Sequence, residues 1–576
     1  MATPLTNIVR ALILVVSVML LAEFIQAEEQ RGEKEYPQPR FPSYLKQPQS
    51  VEEVKQAVRG LVRNRSTFEG KGMGVVQSGE ATVLVPTSDS EDMIVEGIRL
   101  ALEERGVKTY VLPDYEAVGV SRKDALALRV ARRGYTAEHG YLEAAVWMRW
   151  AFPDLEAAKQ WLKGKRPNLY EKIFPKNREL SERSKAVAEK LSRKNVGLAL
   201  QNFLKKHPDV KAVFWGRGGA TTLRRVLYPD DAKYGGVFTA DNRWEAMSQV
   251  GSYSADVWQL SEEITLESLA YVDKMEAKDP EGTDVWADIS QVQAENWARG
   301  AYQRGHLYMF PNIATGRFGY SVVTYPAFQN EWLPREPIAR VNGVMAGTGG
   351  HVGFFPRWEV QFKDGFISEV RGGGLYGEML REFLKYPKVN EVTYPYHETP
   401  GFWYLYEIAF GTNPKYFRNP KALMEGGFSL GPERMAAGVV HWGLGIRISH
   451  DPDSRTEAKK WKEFSIQHNL PGDHGFHTHT YFTTYRVHLG GPDRWLTLLD
   501  RGRITSLDNP EVRALASRYG DPDEILAQAW IPEVPGINTP GQYENYAADP
   551  WKYAKATNDK IRAGTYEHFY PAVKIQ

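Results

Sequence analysis

Five of the 13 histidines of the chain fall within a single 21-residue segment, His468 to His488. The residues from His477 to Tyr485 include many aromatic and β-branched side chains and predict a strand. On a strand, His477 and His479 would point to the same face. Two imidazoles that converge in this way commonly hold a transition metal, so both are predicted metal ligands. The alternative is a pair of surface histidines at the start of the strand.

Two residues earlier in the chain are candidates to complete such a site. Glu407 lies in an aromatic segment, Trp403 to Phe410, where a buried carboxylate must be paired or bound to a metal. His441 lies in an apolar segment bounded by glycines, Gly438 to Gly445. A salt bridge for Glu407 and a hydrogen-bonded core position for His441 are the alternatives.

Composition and motif patterns exclude several other chemistries. The chain has no cysteine, which rules out disulfides, thiolate nucleophiles and cysteine-ligated zinc. Its net charge of +1 gives no reason to expect a nucleic-acid partner. The glycine clusters Gly216–Gly219 and Gly372–Gly374 are not complete phosphate or dinucleotide fingerprints.

The first half of the chain predicts a parallel sheet. A strand at Thr82–Pro86, a helix at Met93–Glu104 and a strand at Lys108–Pro113 form a βαβ unit. Further strands are predicted at Val210–Trp215 and Gly236–Thr239, after a helical region at 140–205.

After Leu266, short aromatic and β-branched segments alternate with turns. Strands are predicted at Trp358–Phe362 and Phe366–Val370, joined by a hairpin turn, and a helix at Gly377–Tyr386. The predicted fold class is therefore α/β, with an N-terminal parallel-sheet domain followed by an α+β metal-binding domain. We place these domains at 51–265 and 266–535, between an extended lead-in at 28–50 and a tail at 536–576 that wraps over the body or a neighbouring subunit.

The N-terminus has the pattern of a secretory signal peptide at residues 1–27. Arg10 precedes a short apolar segment, Ala11–Leu21, and Ala27 precedes an acidic start. We therefore expect a secreted or periplasmic protein without a stable membrane span after cleavage. An uncleaved N-terminal anchor is the alternative.

The order of these motifs resembles the superfamily that contains the thermophilic metallo-aminopeptidases (aminopeptidase T and S type) and the dihydroxypyridine ring-cleaving dioxygenases. Each motif is weak alone, but seven occur in the family's order, between about residues 80 and 505. They are Thr82–Pro113, Lys278–Asp284, Asn312–Phe318, Lys363–Gly365 with Gly372–Gly374, Glu407 with Gly411–Pro414, Gly438–His441 with Gly443–Gly445, and His477–His479.

The chain departs from the aminopeptidase branch, in which two metals are held by two glutamates, two histidines, an aspartate and a tyrosine. Arg317 stands at the position of the first glutamate, His479 replaces the closing aspartate, and no clear tyrosine follows His441. A cation at the place of a bridging carboxylate would repel a second divalent metal. The departures favour the dioxygenase branch, which also lacks the first glutamate and keeps one iron.

For this chain, the resemblance implies one transition metal ion, with Fe(II) favoured and zinc, manganese, cobalt and copper as alternatives. The implied ligands are Glu407, His477 and His479, with His441 as a fourth ligand or an acid-base group. Two histidines and a carboxylate form the facial ligand set typical of non-haem Fe(II) oxygenases.

The remaining predicted roles concern proton transfer and the substrate. His441 or His474 would shuttle the proton, and Arg317 would pair with an anionic substrate. Tyr481 is a further candidate catalytic residue. The resemblance also implies a homodimer or larger assembly.

Three functions remain open on this basis. The first is a mononuclear non-haem Fe(II) dioxygenase that cleaves a hydroxylated aromatic or N-heteroaromatic ring. The aromatic content of 12% suits either ordinary packing or a pocket for such a substrate. The second is a divergent metallo-aminopeptidase or amidohydrolase, and the third is a copper-type oxidoreductase with a His-rich site. A non-catalytic or metal-binding scaffold is the alternative to all three.

Overall fold

A computed structural model describes the chain at residues 35–42, 48–63, 66–67, 70–133, 155–173, 181–215, 236–237, 253–291, 293–294, 305–309, 340–392, 400–401, 405–418, 431–444, 467–468 and 476–570. The predicted signal peptide lies outside these residues, as do His474, Arg317 and the motif Asn312–Phe318. No helix within these ranges has the length and apolar composition needed to cross a bilayer.

Helices occur in every part of the described chain. They are α1 (Val51–Ala57), α2 (Arg59–Arg63), α3 (Asp92–Glu104), α4 (Asp114–Ala117), α5 (Arg122–Arg133), α6 (Leu155–Lys165), α7 (Pro167–Ile173), α8 (Glu182–Lys190), α9 (Arg193–Lys206), α10 (Ala255–Leu266), α11 (Gly374–Leu384), α12 (Pro387–Glu391), α13 (Pro510–Ala516), α14 (Pro522–Ile525), α15 (Tyr543–Ala548) and α16 (Pro550–Ala563).

Strands are concentrated in the second half of the described chain. They are β1 (Phe41–Pro42), β2 (Ser66–Thr67), β3 (Gly70–Lys71), β4 (Ala81–Val85), β5 (Lys108–Val111), β6 (Val210–Trp215), β7 (Gly236–Val237), β8 (Lys274–Asp279), β9 (Thr283–Asp288), β10 (His306–Met309), β11 (Asn342–Gly350), β12 (Gly353–Lys363), β13 (Phe366–Gly372), β14 (Leu405–Gly411), β15 (Val440–Leu444), β16 (Phe476–Thr480), β17 (Thr484–His488), β18 (Trp495–Asp500), β19 (Arg503–Ile504) and β20 (Phe569–Tyr570).

A small parallel sheet forms the N-terminal part, in the order β5-β4-β6-β7. Helix α3 connects β4 to β5 and buries Ile94, Ile98 and Leu102, which recur every four residues along one face. This is the βαβ unit expected from the sequence. Its ends lie within two residues of the predicted ones.

A large antiparallel sheet forms the second part, and its main path is β10-β14-β15-β16-β11-β9-β8-β17-β18-β19. Strand β12 pairs with β11 and with β13, so this hairpin branches from the path. Helices α10 and α11 pack their apolar faces into the core of this sheet. The predicted fold class, a parallel-sheet α/β part followed by an α+β part, is confirmed.

The hairpin between β12 and β13 is the predicted one. Asp364 and Gly365 have φ values of 51° and 89°, which suits a tight turn between antiparallel strands. The helix predicted at Gly377–Tyr386 begins three residues earlier, at Gly374, and ends at Leu384.

The prediction of one continuous strand from His477 to Tyr485 is wrong in its middle. Strand β16 ends at Thr480 and β17 begins at Thr484, because Asp279 holds the turn between them. Its Oδ2 accepts hydrogen bonds from the Thr483 hydroxyl at 2.8 Å and from the Phe482 amide at 3.2 Å. Strand β17 therefore turns away from β15 and pairs with β8.

Candidate metal centre

Four adjacent strands, β10, β14, β15 and β16, bring the candidate ligands to one face of the large sheet. Residues directly opposite one another in antiparallel strands share a face, as do residues two apart on one strand. His441 of β15 lies opposite His479 of β16, and Glu407 of β14 lies opposite Gly443, which in turn lies opposite His477. Since Gly443 has no side chain, it leaves space between the carboxylate and the imidazole of its row.

Two histidines that the sequence analysis did not single out also reach this face. His306 begins β10 and pairs with Gly411, which shares its face with Glu407. His351 follows β11 in the turn before β12, and its ring stacks on that of His477 with centroids 4.0 Å apart.

Glu407 is the carboxylate at the centre of this group. Its Oε1 lies 3.0 Å from Nε2 of His306 and 3.4 Å from Nε2 of His441. Glu407 is 7% exposed and the two histidines are fully buried, so solvent contributes little to these contacts.

The ligand atoms form two overlapping sets, each within 4.8 Å. One set contains His306, Glu407 and His441, and the other contains His351, His441 and His477. His441 belongs to both. The two sets therefore surround one region of the face, and a single ion beside His441 could reach members of each.

Burial keeps the imidazoles of this group neutral. It lowers the pKa of His477 to about 3, and it also lowers the pKa of each neighbouring histidine. Glu407 opposes the shift at His306 and His441, but the pKa of both remains below its usual value. A neutral imidazole has one nitrogen lone pair free for a metal.

The surroundings of Glu407 favour its charged form, whereas those of the histidines favour the neutral form. Burial alone would raise its pKa, but His441 and the hydrogen bond from His306 hold the pKa well below its usual range. The group therefore joins a buried carboxylate to imidazoles whose protonation depends on it. Such an arrangement requires a positive charge nearby, because an uncompensated buried carboxylate is costly.

The donor set fits a transition metal. Nε2 of His441 is buried and lies 3.4 Å from Oε1 of Glu407, which is longer than an ordinary hydrogen bond. A bare imidazole nitrogen directed at a carboxylate is the arrangement that a bound cation would relieve. Imidazole and carboxylate donors suit iron, zinc, copper and manganese.

A second layer of buried polar residues lies behind His441. Nδ1 of His441 is 3.0 Å from Nε2 of His479, and Nδ1 of His479 is 3.1 Å from Oε1 of Glu433. Glu433 lies in a 3₁₀ helix, Gly431–Met435, and also accepts hydrogen bonds from Tyr481 and Arg418, each at 2.7 Å.

The predicted site residues thus fall into three groups. Glu407, His441 and His477 come together at the candidate centre. His479 and Tyr481 lie in the layer behind it, where His479 contacts His441 and lies in neither set of converging ligand atoms. His474 and Arg317 lie outside the described residues, and their roles stay predictions.

Arg434 is a further residue that sequence reasoning missed. Its Nη1 lies 3.4 Å from Nε2 of His351, and its charge contributes to the low pKa of His306 and His477. His306 and His351 carried only weak local signals, namely a histidine beginning an apolar segment and one following the glycine pair Gly349–Gly350. Their neighbours in space are far away in sequence.

Comparison with known proteins finds distant similarity among solved structures only. No protein-family model and no curated protein matches the chain. Among solved structures, the chain is similar to the 2,5-dihydroxypyridine dioxygenase from Pseudomonas putida KT2440, at 12% sequence identity and a TM-score of 0.33. The similarity covers 81% of this chain and 99% of that chain. The chemistry of the histidine cluster therefore rests on its own residues.

Proposed function

We propose that the chain is a metal-dependent oxygenase that holds one non-haem metal ion, with Fe(II) favoured, and cleaves a hydroxylated aromatic or N-heteroaromatic ring. The observation that carries the proposal is the buried convergence of the Glu407 carboxylate with several imidazoles in two ligand sets that share His441. Two histidines and one carboxylate leave coordination positions for a substrate and O₂.

In this proposal Glu407, His441 and His477 are the ligands. His306 donates its Nε2 proton to Glu407 and orients the carboxylate, as partners behind a metal ligand commonly do. A bound iron would supply the coordination of substrate oxygens and the activation of O₂.

The neighbouring residues would bind the substrate and move its proton. His351 is half-buried and stacks on His477, so in this proposal a substrate proton passes to the solvent through this residue, whose low pKa makes its protonated form short-lived. Arg434 beside it supplies a positive charge for an anionic ring substituent, which is the role also predicted for Arg317.

Metal analysis together with oxygen uptake tests this proposal. The protein is purified without added metal, its metal content is measured, and O₂ consumption is followed after anaerobic loading with Fe(II). Catechol, 2,5-dihydroxybenzoate and 2,5-dihydroxypyridine serve as probes. We expect one iron per chain and uptake with at least one probe. Glu407→Gln is the inactive control.

Two results would contradict the oxygenase. Two zinc, manganese or cobalt ions per chain, with hydrolysis of peptide or amide substrates, would support the metallohydrolase instead. Copper in the purified protein would favour the copper oxidoreductase. The number of converging imidazoles favours that second candidate, because His306, His351, His441 and His477 together form a nitrogen-rich donor set.

A further inference from the structure

A chain of hydrogen bonds runs from His441 through His479 to Glu433. We propose that Glu433 and His479 are positioning residues that fix the tautomer of His441 for metal binding, so that His479 acts from behind the metal and is not a ligand. This inference rests on the metal centre of the proposed function, but not on oxygen chemistry.

Glu433, which is buried and paired with Arg418, sets the donor-to-acceptor direction of these hydrogen bonds. Nε of Arg418 donates to Oε2 at 2.7 Å, and the guanidinium is packed between Phe354 and Trp530, at 4.6 and 4.5 Å from their rings. A carboxylate paired with arginine in this way is ionised and can only accept hydrogen bonds. Its second oxygen accepts from the Tyr481 hydroxyl at 2.7 Å.

The proton of His479 must therefore lie on Nδ1, which contacts that same Oε1 at 3.1 Å. In a neutral imidazole the other nitrogen then has a lone pair. Nε2 of His479 lies 3.0 Å from Nδ1 of His441, so it accepts a hydrogen bond there. A lone pair used in this way is not available to a metal.

His441 in turn has its proton on Nδ1, and its Nε2 is left bare. That nitrogen is the one that faces Glu407 at 3.4 Å, and His441 is the residue shared by the two converging sets. The opposite tautomer would place a proton on Nε2 and block coordination. Glu433 thus selects, through His479, the form of His441 that can bind a metal.

Cobalt(II) titration of the metal-free protein separates the two roles of His479. The amide oxygen of His479→Gln can still accept the hydrogen bond from His441. We therefore expect this variant to bind one cobalt ion within about tenfold of the wild-type affinity and with an unchanged visible spectrum. His477→Gln, which removes a proposed ligand, is expected to lose more than about 100-fold in affinity and to change the spectrum.

Glu433→Gln tests the residue at the far end of this series of hydrogen bonds. An amide can present its N–H to His479 and reverse the direction of the hydrogen bonds, which would place the proton of His441 on Nε2. Cobalt affinity is therefore expected to fall by about 10- to 100-fold. Because this variant leaves Arg418 buried without its carboxylate, the double variant Arg418→Met/Glu433→Gln, which removes both charges, is measured beside it. Glu369→Gln, on the exposed strand β13, is the matched control and should bind cobalt as the wild type does.

The melting temperature of each metal-free variant separates a loss of affinity from a loss of fold. The proposal is wrong if His479→Gln loses cobalt as His477→Gln does, since His479 would then be a ligand. It is also wrong if both Glu433 variants bind cobalt like the wild type, or if the wild type binds none. A wild type that binds one cobalt ion but consumes no O₂ with any probe would overturn the oxygenase alone.

Discussion

Glu407 and Glu281 are both buried carboxylates of the large sheet, but their neighbours give them opposite charge states. Imidazoles surround Glu407 and hold its pKa well below the usual range despite burial. Glu281 lies in the turn between β8 and β9, where burial and the nearby Asp279 carboxylate raise its pKa to about 8. One carboxylate is therefore an anion at neutral pH, and the other is mostly a neutral acid.

The side-chain contacts of Glu281 are to hydroxyl groups, and the guanidinium of Arg357 offsets only part of the rise in its pKa. Its Oε1 accepts hydrogen bonds from the Thr348 hydroxyl at 2.8 Å and from the Tyr543 hydroxyl at 3.1 Å. Its Oε2 is buried and makes no hydrogen bond within the described part of the chain, so an anion there would be costly. Burial is similar at the two sites, so the charge and protonation of the neighbouring groups decide whether the pKa of each glutamate rises or falls.

The difference separates a site for a cation from a structural contact. Tyr543 begins α15 in the C-terminal tail, so Glu281 helps to hold that tail on the sheet within the same chain. The predicted tail thus packs against the body through a neutral acid. The cluster around His441, in contrast, brings one carboxylate and several imidazoles together, and these donors suit a transition metal.

Matched substitutions of the two glutamates should have the largest and most contrasting effect. Glu407→Gln removes the only carboxylate of the converging ligand sets. We expect metal affinity to fall by more than about 100-fold, which exceeds the effect typical of residues that only hydrogen-bond to a metal ligand. Glu281→Gln replaces a neutral acid by a neutral amide and should leave metal affinity unchanged. Metal content after dialysis measures both. Equal metal loss in the two variants would contradict the comparison.

The pH dependence of stability should distinguish the two carboxylates next. Because the pKa of Glu281 is higher in the folded state, the folded protein binds more protons, and stability decreases as pH rises from about 4.5 towards about 8. Relative to the wild type, metal-free Glu281→Gln should gain on the order of 3 kcal/mol between pH 5 and pH 8.

Thermal unfolding at several pH values measures this relative gain, and taking the difference between the two proteins cancels the contributions of titrating groups that do not interact with Glu281. Glu369→Gln, which changes an exposed glutamate, should follow the wild type at each pH. A constant difference between Glu281→Gln and the wild type would mean that Glu281 does not titrate in this range.

The histidine cluster was predicted from sequence only where its pattern is local. His477 and His479 are two residues apart on a strand, and Glu407 and His441 stand out as polar residues in apolar segments. His306 carries no such signal, because the partner that gives it a role, Glu407, is 101 positions away. The position of His479 behind His441 likewise depends on Glu433, which no spacing rule connects to it.

The same distinction applies to the fold. The βαβ unit of the small sheet follows from periodicity within about 35 residues and was predicted almost completely. The end of β16 was not, because Asp279, which holds the turn after it, lies more than 200 positions away. Long-range hydrogen bonds of this kind override a strand propensity that is read locally.

The close contact between β11 and β16 offers a smaller test on the histidine side. A Cβ atom at Gly350 would lie 2.1 Å from the carbonyl oxygen of His477. Gly350→Ala should therefore push β16 away, cost about 1–3 kcal/mol of stability and weaken cobalt binding. Gly164→Ala is the control, since Gly164 lies in α6 with open space around it and the change should stabilise by about 0.5–1 kcal/mol. Unchanged cobalt binding in Gly350→Ala would mean that the strand spacing does not position the ligands.

The smallest expected effect comes from the backbone of His477, which the buried Tyr376 of α11 holds in place. The Tyr376 hydroxyl accepts a hydrogen bond from the His477 amide at 2.7 Å and donates to its carbonyl at 3.3 Å. Tyr376→Phe should cost about 1–2 kcal/mol, measured by thermal unfolding of the metal-free protein. Tyr386→Phe, at a half-buried residue, should cost less. If Tyr376→Phe left stability unchanged, the backbone of β16 would be held by its sheet partners alone. The position of His477 would then depend on the sheet rather than on α11.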